Sequence, residues 1–564
     1  MPEKRILKGR EVSMTRNVRR MAQKRHDVLV IGGGVTGAFI AWDCSLRGLS
    51  VALVDKGDFG AATSAATSKL IHGGLRYLKT LEVGLVRESL QERRIMEIIA
   101  PHLVYPLPFV FPAYGRGMRG MPAVLSAMVF YDSLSYDRRW INDDDKKIPG
   151  HAKFTAEEIL SMEPVLDLED LTGGVVYYDC QMYSPERLTL EPILSACEFG
   201  AEAANYTKAE EIIVEGDRVC GARVRDLLDQ GRPYEIRSAV TVNAAGPWAD
   251  TIMAGVRGAT RHGLVRSKGI HILTRPIQKD RAIVLQTKSG RHFFIIPWRG
   301  HSLIGTTDVV YRGDPDDCRV TAGDIREFLS EINATVPSAR LEPSDVLFQY
   351  CGLRPIVEKD TSVQVEVYDA SRKYELYDHE EHEGVKGFVS AIGGKYTTSR
   401  NMARQVVDMI VRKIRGTDIP CETHTTPLYG GEIGRFTSFV ERAKKRNADG
   451  IADEVVVHLC RNYGSRYQDV LASGRARNRT SRICAAHPDI WAQIAYAVDV
   501  EMASRLTDVL FRRTGLCTLG NPGEDTIERV GAFMAGELGW TRSSLNAEID
   551  AAMAVFGIRQ DDPA

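Results

Sequence analysis

The sequence predicts an α/β protein with three parts: a nucleotide-binding unit on a parallel sheet, an antiparallel sheet laid over it, and a helical C-terminal region. Three observations carry this. Between residues 27 and 55 an apolar strand, a G-x-G-x-x-G turn, a helix, a second apolar strand and an acid follow in order. Short alternating strands fill the middle of the chain, and after Pro420 the apolar period becomes helical. The 564 residues leave room for roughly three to five domains.

Composition narrows the function classes. Basic and acidic residues nearly cancel, 73 against 74, which excludes a globally cationic protein that coats nucleic acid. With 44% hydrophobic and 26% charged residues, the chain is an ordinary folded globule and not a collagen, a disordered chain or a coiled coil. The ten cysteines come no closer than seventeen positions. That excludes C-x-x-C zinc and redox motifs and fits reduced thiols without disulfides.

Residues 1–25 carry nine basic and two acidic side chains and no apolar run of the kind a secretory signal needs. They read as a basic N-terminal extension: a solvated tail, an overlong start ahead of Met14 or Met21, or an arm that touches anionic lipid. The apolar stretch 121–131 is far short of the roughly 20 residues of a spanning helix. It follows Arg116 and Arg119, and reads either as a core segment or as an apolar edge lowered into lipid headgroups.

The first folded element, residues 27–31, is a continuous apolar run of the kind a doubly buried strand shows. Gly32 permits the tight turn, Gly34 lets backbone approach a pyrophosphate, and Gly37 lets helix and strand pack closely. The helix N-terminus faces the phosphate charge. Asp55, at the end of the strand 51–54, stands where a carboxylate accepts hydrogen bonds from an adenosine ribose. Residues 58–77 follow, rich in small and hydroxyl side chains and containing Ser64, Ser68, Lys69, Leu70, His72, Gly73 and Gly74. Such a segment lies flat along a long planar ligand and offers it donors, unlike the further βα units of a nicotinamide dehydrogenase.

Downstream, the strand 239–243 stops at Ala244-Ala245-Gly246-Pro247-Trp248, and the strand 387–393 leads through Gly393, Gly394, Lys395 and Thr397 into a helix with apolar Met402, Val406, Ile410 and Val411 on one face. That helix start suits the negative pyrimidine end of a reduced flavin. One cofactor held by segments about 300 residues apart implies a discontinuous domain. Strands at 174–178, 271–273, 283–286, 293–297 and 303–307, with a turn at 299–301, form the expected antiparallel sheet. Helices are expected at 525–538 and 543–556, while residues 492–500 fit strand or helix.

Together these strings resemble the FAD-dependent glycerol-3-phosphate dehydrogenases among the D-amino-acid-oxidase-like flavoproteins. The resemblance is carried by Gly32 to Gly37, Thr67-Ser68-Lys69-Leu70-Ile71-His72-Gly73-Gly74-Leu75-Arg76-Tyr77-Leu78, Asn243 to Trp248, Lys268 to His271, Ile296 to Trp298, Ile304-Gly305-Thr306-Thr307-Asp308, Gly352 to Pro355 and Gly393 to Thr398. It implies a doubly wound FAD-binding domain in pieces 26–100, 184–256 and 375–418, a substrate domain at 101–183 and 257–374, and a helical C-terminal cap domain at 425–564. It also implies oxidation of sn-glycerol 3-phosphate to dihydroxyacetone phosphate, with noncovalent FAD and electrons passed to ubiquinone or menaquinone. The implied location is cytoplasmic, peripherally bound to the inner face of the cell membrane, with a homodimer left open. No resident metal and no nucleic acid are expected.

Carried over by position, His271, Arg354 and Lys395 are the implied catalytic side chains, and Arg76, Tyr77 and Arg372 bind substrate. Their chemistry agrees: guanidinium groups bind phosphate oxygens bidentately, and an imidazole can take the C2 hydroxyl proton. Two other readings stay open at this stage, an oxidase of the same fold that yields hydrogen peroxide and a flavin-binding assembly protein without turnover.

Overall fold

The structure is a computed structural model describing residues 13–256, 264–287, 290–357, 373–447 and 450–558. The strand Arg25–Ile31 lies at the centre of the first sheet, parallel to Val51–Val54 on one side and Arg232–Asn243 on the other. Glu202–Ala204 and Phe388–Gly393 extend the parallel core, and Tyr374–Asp378 closes an edge antiparallel. Val28, Leu29 and Val30 are wholly buried, which is why this strand is apolar on both faces.

Helices Val35–Leu46, Pro185–Glu198 and Ser399–Arg415 cover one face of that sheet. Burying Val406, Val407, Ile410 and Val411 completely contributes roughly 1.5–3 kcal/mol per side chain. The other face is covered largely by the hairpin Thr207–Glu215 and Arg218–Asp226, with the short helices Val18–Met21 and Ala249–Ala254. The layering is therefore helix, parallel sheet, hairpin.

Part of the basic extension belongs to this body. Met14, Val18 and Met21 are buried, Arg16 pairs with Asp226, and Arg20 and Lys24 pair with Glu202. From residue 13 onward it is not a solvated tail, because its apolar side chains find core and Arg16, Arg20 and Lys24 find acids on the sheet. Residues 1–12 lie outside the described residues.

The second sheet has ten strands. Leu264–Thr274 pairs antiparallel with Val346–Val357 and His301–Gly305, and Val104–Tyr114 pairs antiparallel with Leu171–Met182. Its two halves join through Ala282–Gln286, which runs parallel to Val104–Tyr114. The sheet is thus mixed where antiparallel pairing was expected throughout. Hairpins force antiparallel pairing only between neighbours in sequence, and much of the first sheet lies between residues 114 and 264. The expected turn sits at Arg299 and Gly300, both at positive φ, 50° and 79°.

The apolar stretch is a helix, Met121–Leu134, on which Val124, Met128 and Tyr131 are buried while Val129 and Phe130 are 60% and 43% exposed. It is both core contact and exposed apolar face. The C-terminal region is helical, including Glu524–Leu538 and Arg542–Ala554. The ambiguous 492–500 lies in the helix Trp491–Asp499, where seven consecutive residues from Trp491 to Ala497 are buried, erasing any period. This region grips the nucleotide unit at Asp58, whose carboxylate accepts from Arg513 Nη1 and Nη2 (2.8 Å each) and Arg512 Nε (2.6 Å). Among the described residues no helix is long and apolar enough to cross a membrane.

Candidate active site

A cleft of about 1720 Å³ runs from the glycine turn to the second sheet. That exceeds the usual 300–1,000 Å³ of a drug-sized ligand site and has room for a dinucleotide together with a small substrate.

At one end, Gly32 has φ 108°, and a Cβ there would meet Ala244 O at 2.5 Å. A Cβ on Gly37 would overlap the Gly32 carbonyl, so Gly37 is the packing glycine and does not itself line the cleft. Gly34 precedes the helix Val35–Leu46, whose first N–H is accepted by Ser64 Oγ (2.9 Å). Asp55 accepts from the N–H groups of Gly33 (2.6 Å) and Gly57 (2.8 Å). Burial pushes its carboxyl up to about 6 although both amides pull it down. Asp55 therefore holds the turn in shape as well as lining the cleft.

Gly246, Gly393 and Gly394 all sit at positive φ and line the same cleft, with a 3₁₀ turn Tyr396–Thr398 leading into Ser399–Arg415. Thr397 Oγ1 accepts from His72 N (3.3 Å), joining two segments far apart in sequence. His72 is neutral: burial, then Lys395 and Arg76, pull it down to about 3. Leu70 and Gly74 line the cleft, but Gly73 does not. Its N–H donates to Asp179 (3.1 Å). Lys69 also departs from expectation, because its buried ammonium turns inward to Glu186 (2.8 Å) and leaves only backbone for a ligand.

The expected catalytic side chains face the same cleft. His271, Arg354, Lys395, Arg76 and Tyr77 all line the cleft. His271 Nε2 shares a hydrogen bond with Ser68 Oγ (2.8 Å), and its ring stacks on Tyr350 with centroids 5.1 Å apart. Burial, Arg354 and Lys69 hold it well below the ordinary histidine value. Arg354 donates to Thr306 Oγ1 (2.7 Å) and stands 3.7 Å from Asp308. Arg76 Nη2 donates to Tyr77 Oη (3.1 Å). Arg372 lies outside the described residues.

Lys395 is different. Its Nζ is buried, has no hydrogen-bond partner among the described residues, and sits 4.8 Å from the Tyr77 ring centroid. A buried ammonium without an acceptor is costly, and an anionic or carbonyl-rich ligand edge would satisfy it. With the glycine cradle and open helix start, this donor set fits a flavin dinucleotide. Among the described residues no group of three or more His, Cys, Asp and Glu could hold a metal ion.

Sequence reasoning missed the residues that shape the pocket. A Cβ on Gly305 would strike the His271 ring and one on Gly269 the Arg354 guanidinium, so both glycines clear space. Tyr350, Gly352 and Arg354 alternate along one strand and share a face; that period, counted back from Arg354, could have found Tyr350. Nothing in the sequence singled out His292, which burial, Lys79, Arg76 and Arg119 pull down to about 4.

Comparison with known proteins agrees with this geometry. The family described as FAD dependent oxidoreductase matches residues 27–400, and the C-terminal domain of alpha-glycerophosphate oxidase matches residues 421–545. Glycerol-3-phosphate dehydrogenase of Synechocystis is 34% identical over 549 residues, 95% of this chain and 97% of that protein. Glycerol-3-phosphate dehydrogenase 2 of Mycobacterium tuberculosis is 35% identical, covering 95% of this chain and 89% of its own length. The solved structure of the Bacillus halodurans glycerol-3-phosphate dehydrogenase complexed with FAD superposes with TM-score 0.75 at 29% identity, over 96% of each chain. The chain thus belongs to the FAD-dependent oxidoreductases and, within them, to the glycerol-3-phosphate dehydrogenase family.

Proposed function

We propose that this protein oxidises sn-glycerol 3-phosphate to dihydroxyacetone phosphate in the cleft and delivers the electrons to ubiquinone or menaquinone at the membrane surface. The observation that carries the reading is that His271, Arg354, Arg76 and a Lys395 without a hydrogen-bond partner among the described residues all line one dinucleotide-sized cleft. FAD, when bound, supplies the hydride acceptor.

The chain's own residues do the rest. Gly32, Gly34 and the Val35–Leu46 helix start receive the pyrophosphate, with Ser64 at their side, and Asp55 the ribose. The Lys395 ammonium, flanked by Gly393, Gly394 and Thr397, would donate to an electron-rich edge of the flavin. Arg354, with Arg76 and Tyr77, holds the substrate phosphate, and Arg372 is proposed to join them. Thr306 Oγ1 accepts from Arg354 Nη2, which fixes the position of the guanidinium. His271, neutral at physiological pH, accepts the C2 hydroxyl proton at Nε2, directly or through the Ser68 hydroxyl that it now faces. The discontinuous division 26–100, 184–256 and 375–418 against 101–183 and 257–374 is the proposed functional partition, with 425–564 as cap.

The membrane side of the reading rests on the cleft rim. Leu81, 81% exposed, and Phe130, 43% exposed, line the cleft together with Arg119. An apolar rim beside a cation suits the headgroup region of an anionic bilayer. Arg16, Arg20 and Lys24 are engaged by Asp226 and Glu202, which weakens the basic extension as the source of lipid binding, although Arg19 and Arg25 are exposed. Val124 is core. The informative variant is therefore Val129→Asp with Phe130→Asp, which should abolish sedimentation with anionic vesicles while reduction of a soluble dye persists.

The function is tested by anaerobic bleaching of the flavin with glycerol 3-phosphate, followed by reoxidation with a quinone analogue or with air. Bleaching and fast quinone reoxidation support the reading. Stoichiometric hydrogen peroxide with no quinone reaction makes the protein an oxidase, and an unbleached flavin refutes both.

A further inference from the structure

Cys318 and Cys351 are 33 positions apart in sequence, and their sulfurs stand 3.3 Å apart. Both are half-buried free thiols. Cys351 lies on the strand Val346–Val357, between Tyr350 and Gly352 and three residues before Arg354. Cys318 follows the 3₁₀ turn Pro315–Asp317, in the segment between the strand Val309–Tyr311 and the helix Ala322–Thr335. That segment is part of the cleft rim: Asp314, Pro315 and Asp316 line the opening. Asp316 ion-pairs with Lys56, the neighbour of Asp55, and Lys56 lies 4.0 Å from the Trp248 ring centroid.

We propose that Cys318 and Cys351 form an oxidation site that hydrogen peroxide closes to a disulfide, tying the rim segment to the strand that carries Arg354. An S–S bond is about 2.05 Å long, so closure needs a sulfur displacement of little more than 1 Å, within reach of side-chain rotation. The reaction balances as two thiols and one peroxide giving one disulfide and two waters. The Cys318 sulfur attacks one peroxide oxygen, forming an S–O bond as the O–O bond breaks, and the departing hydroxide takes the thiol proton. The Cys351 sulfur then attacks the sulfenic sulfur of Cys318; the S–S bond forms, the S–O bond breaks, and hydroxide leaves with the Cys351 proton as the second water.

The assignment of Cys318 as attacking sulfur follows from its surroundings. The Cys351 hydrogen bond, and the Lys268 ammonium beyond it, pull the Cys318 thiol down against burial, while Cys351 is pushed up. Thiolate character sets the order of attack. Before oxidation the rim segment is held to Lys56 by a partly exposed ion pair, worth only about 0–1 kcal/mol. After oxidation it is covalently fixed, and a nucleotide leaving past it is retained longer.

The test uses the full-length FAD-bound enzyme, treated with hydrogen peroxide, blocked with iodoacetamide, digested without reductant and mapped by mass spectrometry. The expected result is loss of two of the ten thiols, a peptide pair joined through Cys318 and Cys351, and a slower rise of free-flavin fluorescence on dilution, all reversed by dithiothreitol. In Cys351→Ser a dimedone adduct should accumulate at Cys318. Both cysteines recovered alkylated, or Cys318 recovered as sulfinic acid without a cross-link, would overturn the site. An adduct at Cys351 in Cys318→Ser with none at Cys318 in Cys351→Ser would overturn the order of attack, and a mapped cross-link with unchanged flavin release would overturn the rim's role.

Discussion

Replacing Lys395 with Met should stabilise the protein without cofactor and weaken it with cofactor, a reversal that a merely structural lysine would not give. In the structure Nζ is buried without a hydrogen-bond partner among the described residues. Burial lowers its pKa, and Tyr77 beside it raises it. An unsatisfied buried polar group costs about 1–3 kcal/mol, and the Tyr77 ring at 4.8 Å returns about 0.5–2 kcal/mol. Met fills nearly the same volume without charge. The apo variant should therefore gain on the order of 1 kcal/mol, read as a higher urea midpoint. The sign in pH follows from the lowered folded pKa: the native state holds this proton less well than the unfolded chain. The penalty is present at neutral pH and fades as pH rises towards the ordinary lysine value of about 10.4, so the two apo proteins should converge there. With FAD bound, the variant lacks a charge-assisted hydrogen bond worth about 1.5–3 kcal/mol, roughly 10- to 150-fold in Kd by fluorescence titration. A lower apo midpoint, or an unchanged FAD affinity, would refute the placement of this ammonium at the flavin.

Arg354→Ala should raise KM for glycerol 3-phosphate by the equivalent of about 1.5–3 kcal/mol and leave the flavin spectrum intact; loss of flavin would move the residue to the cofactor. His271→Asn should slow flavin reduction by roughly 10²–10⁴ with little change in substrate Kd, measured by stopped flow. Because burial, Arg354 and Lys69 hold His271 well below its ordinary value, kcat/KM of the unmodified enzyme should show no inflection near pH 6.5 from this group, and an inflection there would contradict its burial. Arg513→Met leaves the buried Asp58 with one guanidinium in place of two. It should cost about 1.5–3 kcal/mol, the worth of a charge-assisted hydrogen bond, in urea unfolding. Burial pushes Asp58 up, but Arg513 and Arg512 outweigh it and hold it below the carboxylate range, so its contribution is present above about pH 4 and lost as pH falls through the lowered folded value.

The parallel core was legible because each of its strands must be apolar on both faces, a pattern that residues 27–31, 51–54 and 239–243 announce without reference to anything distant. The glycine turn was legible for a similar reason: its shape is set by residues within a few positions of one another. Gly37 could be assigned to packing from spacing alone, and its Cβ contact with the Gly32 carbonyl agrees. The helices at Ser399–Arg415 and Glu524–Leu538 were announced by their own apolar period. Where every face is buried, as in Trp491–Asp499, the period vanished and strand and helix looked alike.

The sequence by itself determined the parallel core, the glycine turn and the helical C-terminal region, because these depend on local period and backbone freedom, while the candidate charged side chains were named by the family resemblance. Only the tertiary structure decided which of those side chains face the cleft. Lys69 and Lys395 are both lysines in matching strings, yet one is paired with Glu186 and the other has no hydrogen-bond acceptor among the described residues. The difference arises from Glu186, 117 positions from Lys69, and the same holds for Arg513 on Asp58, Gly305 beneath His271, and the parallel junction at Ala282–Gln286. Such contacts are fixed when separated segments pack into one core, and a one-dimensional pattern carries no record of which segments meet.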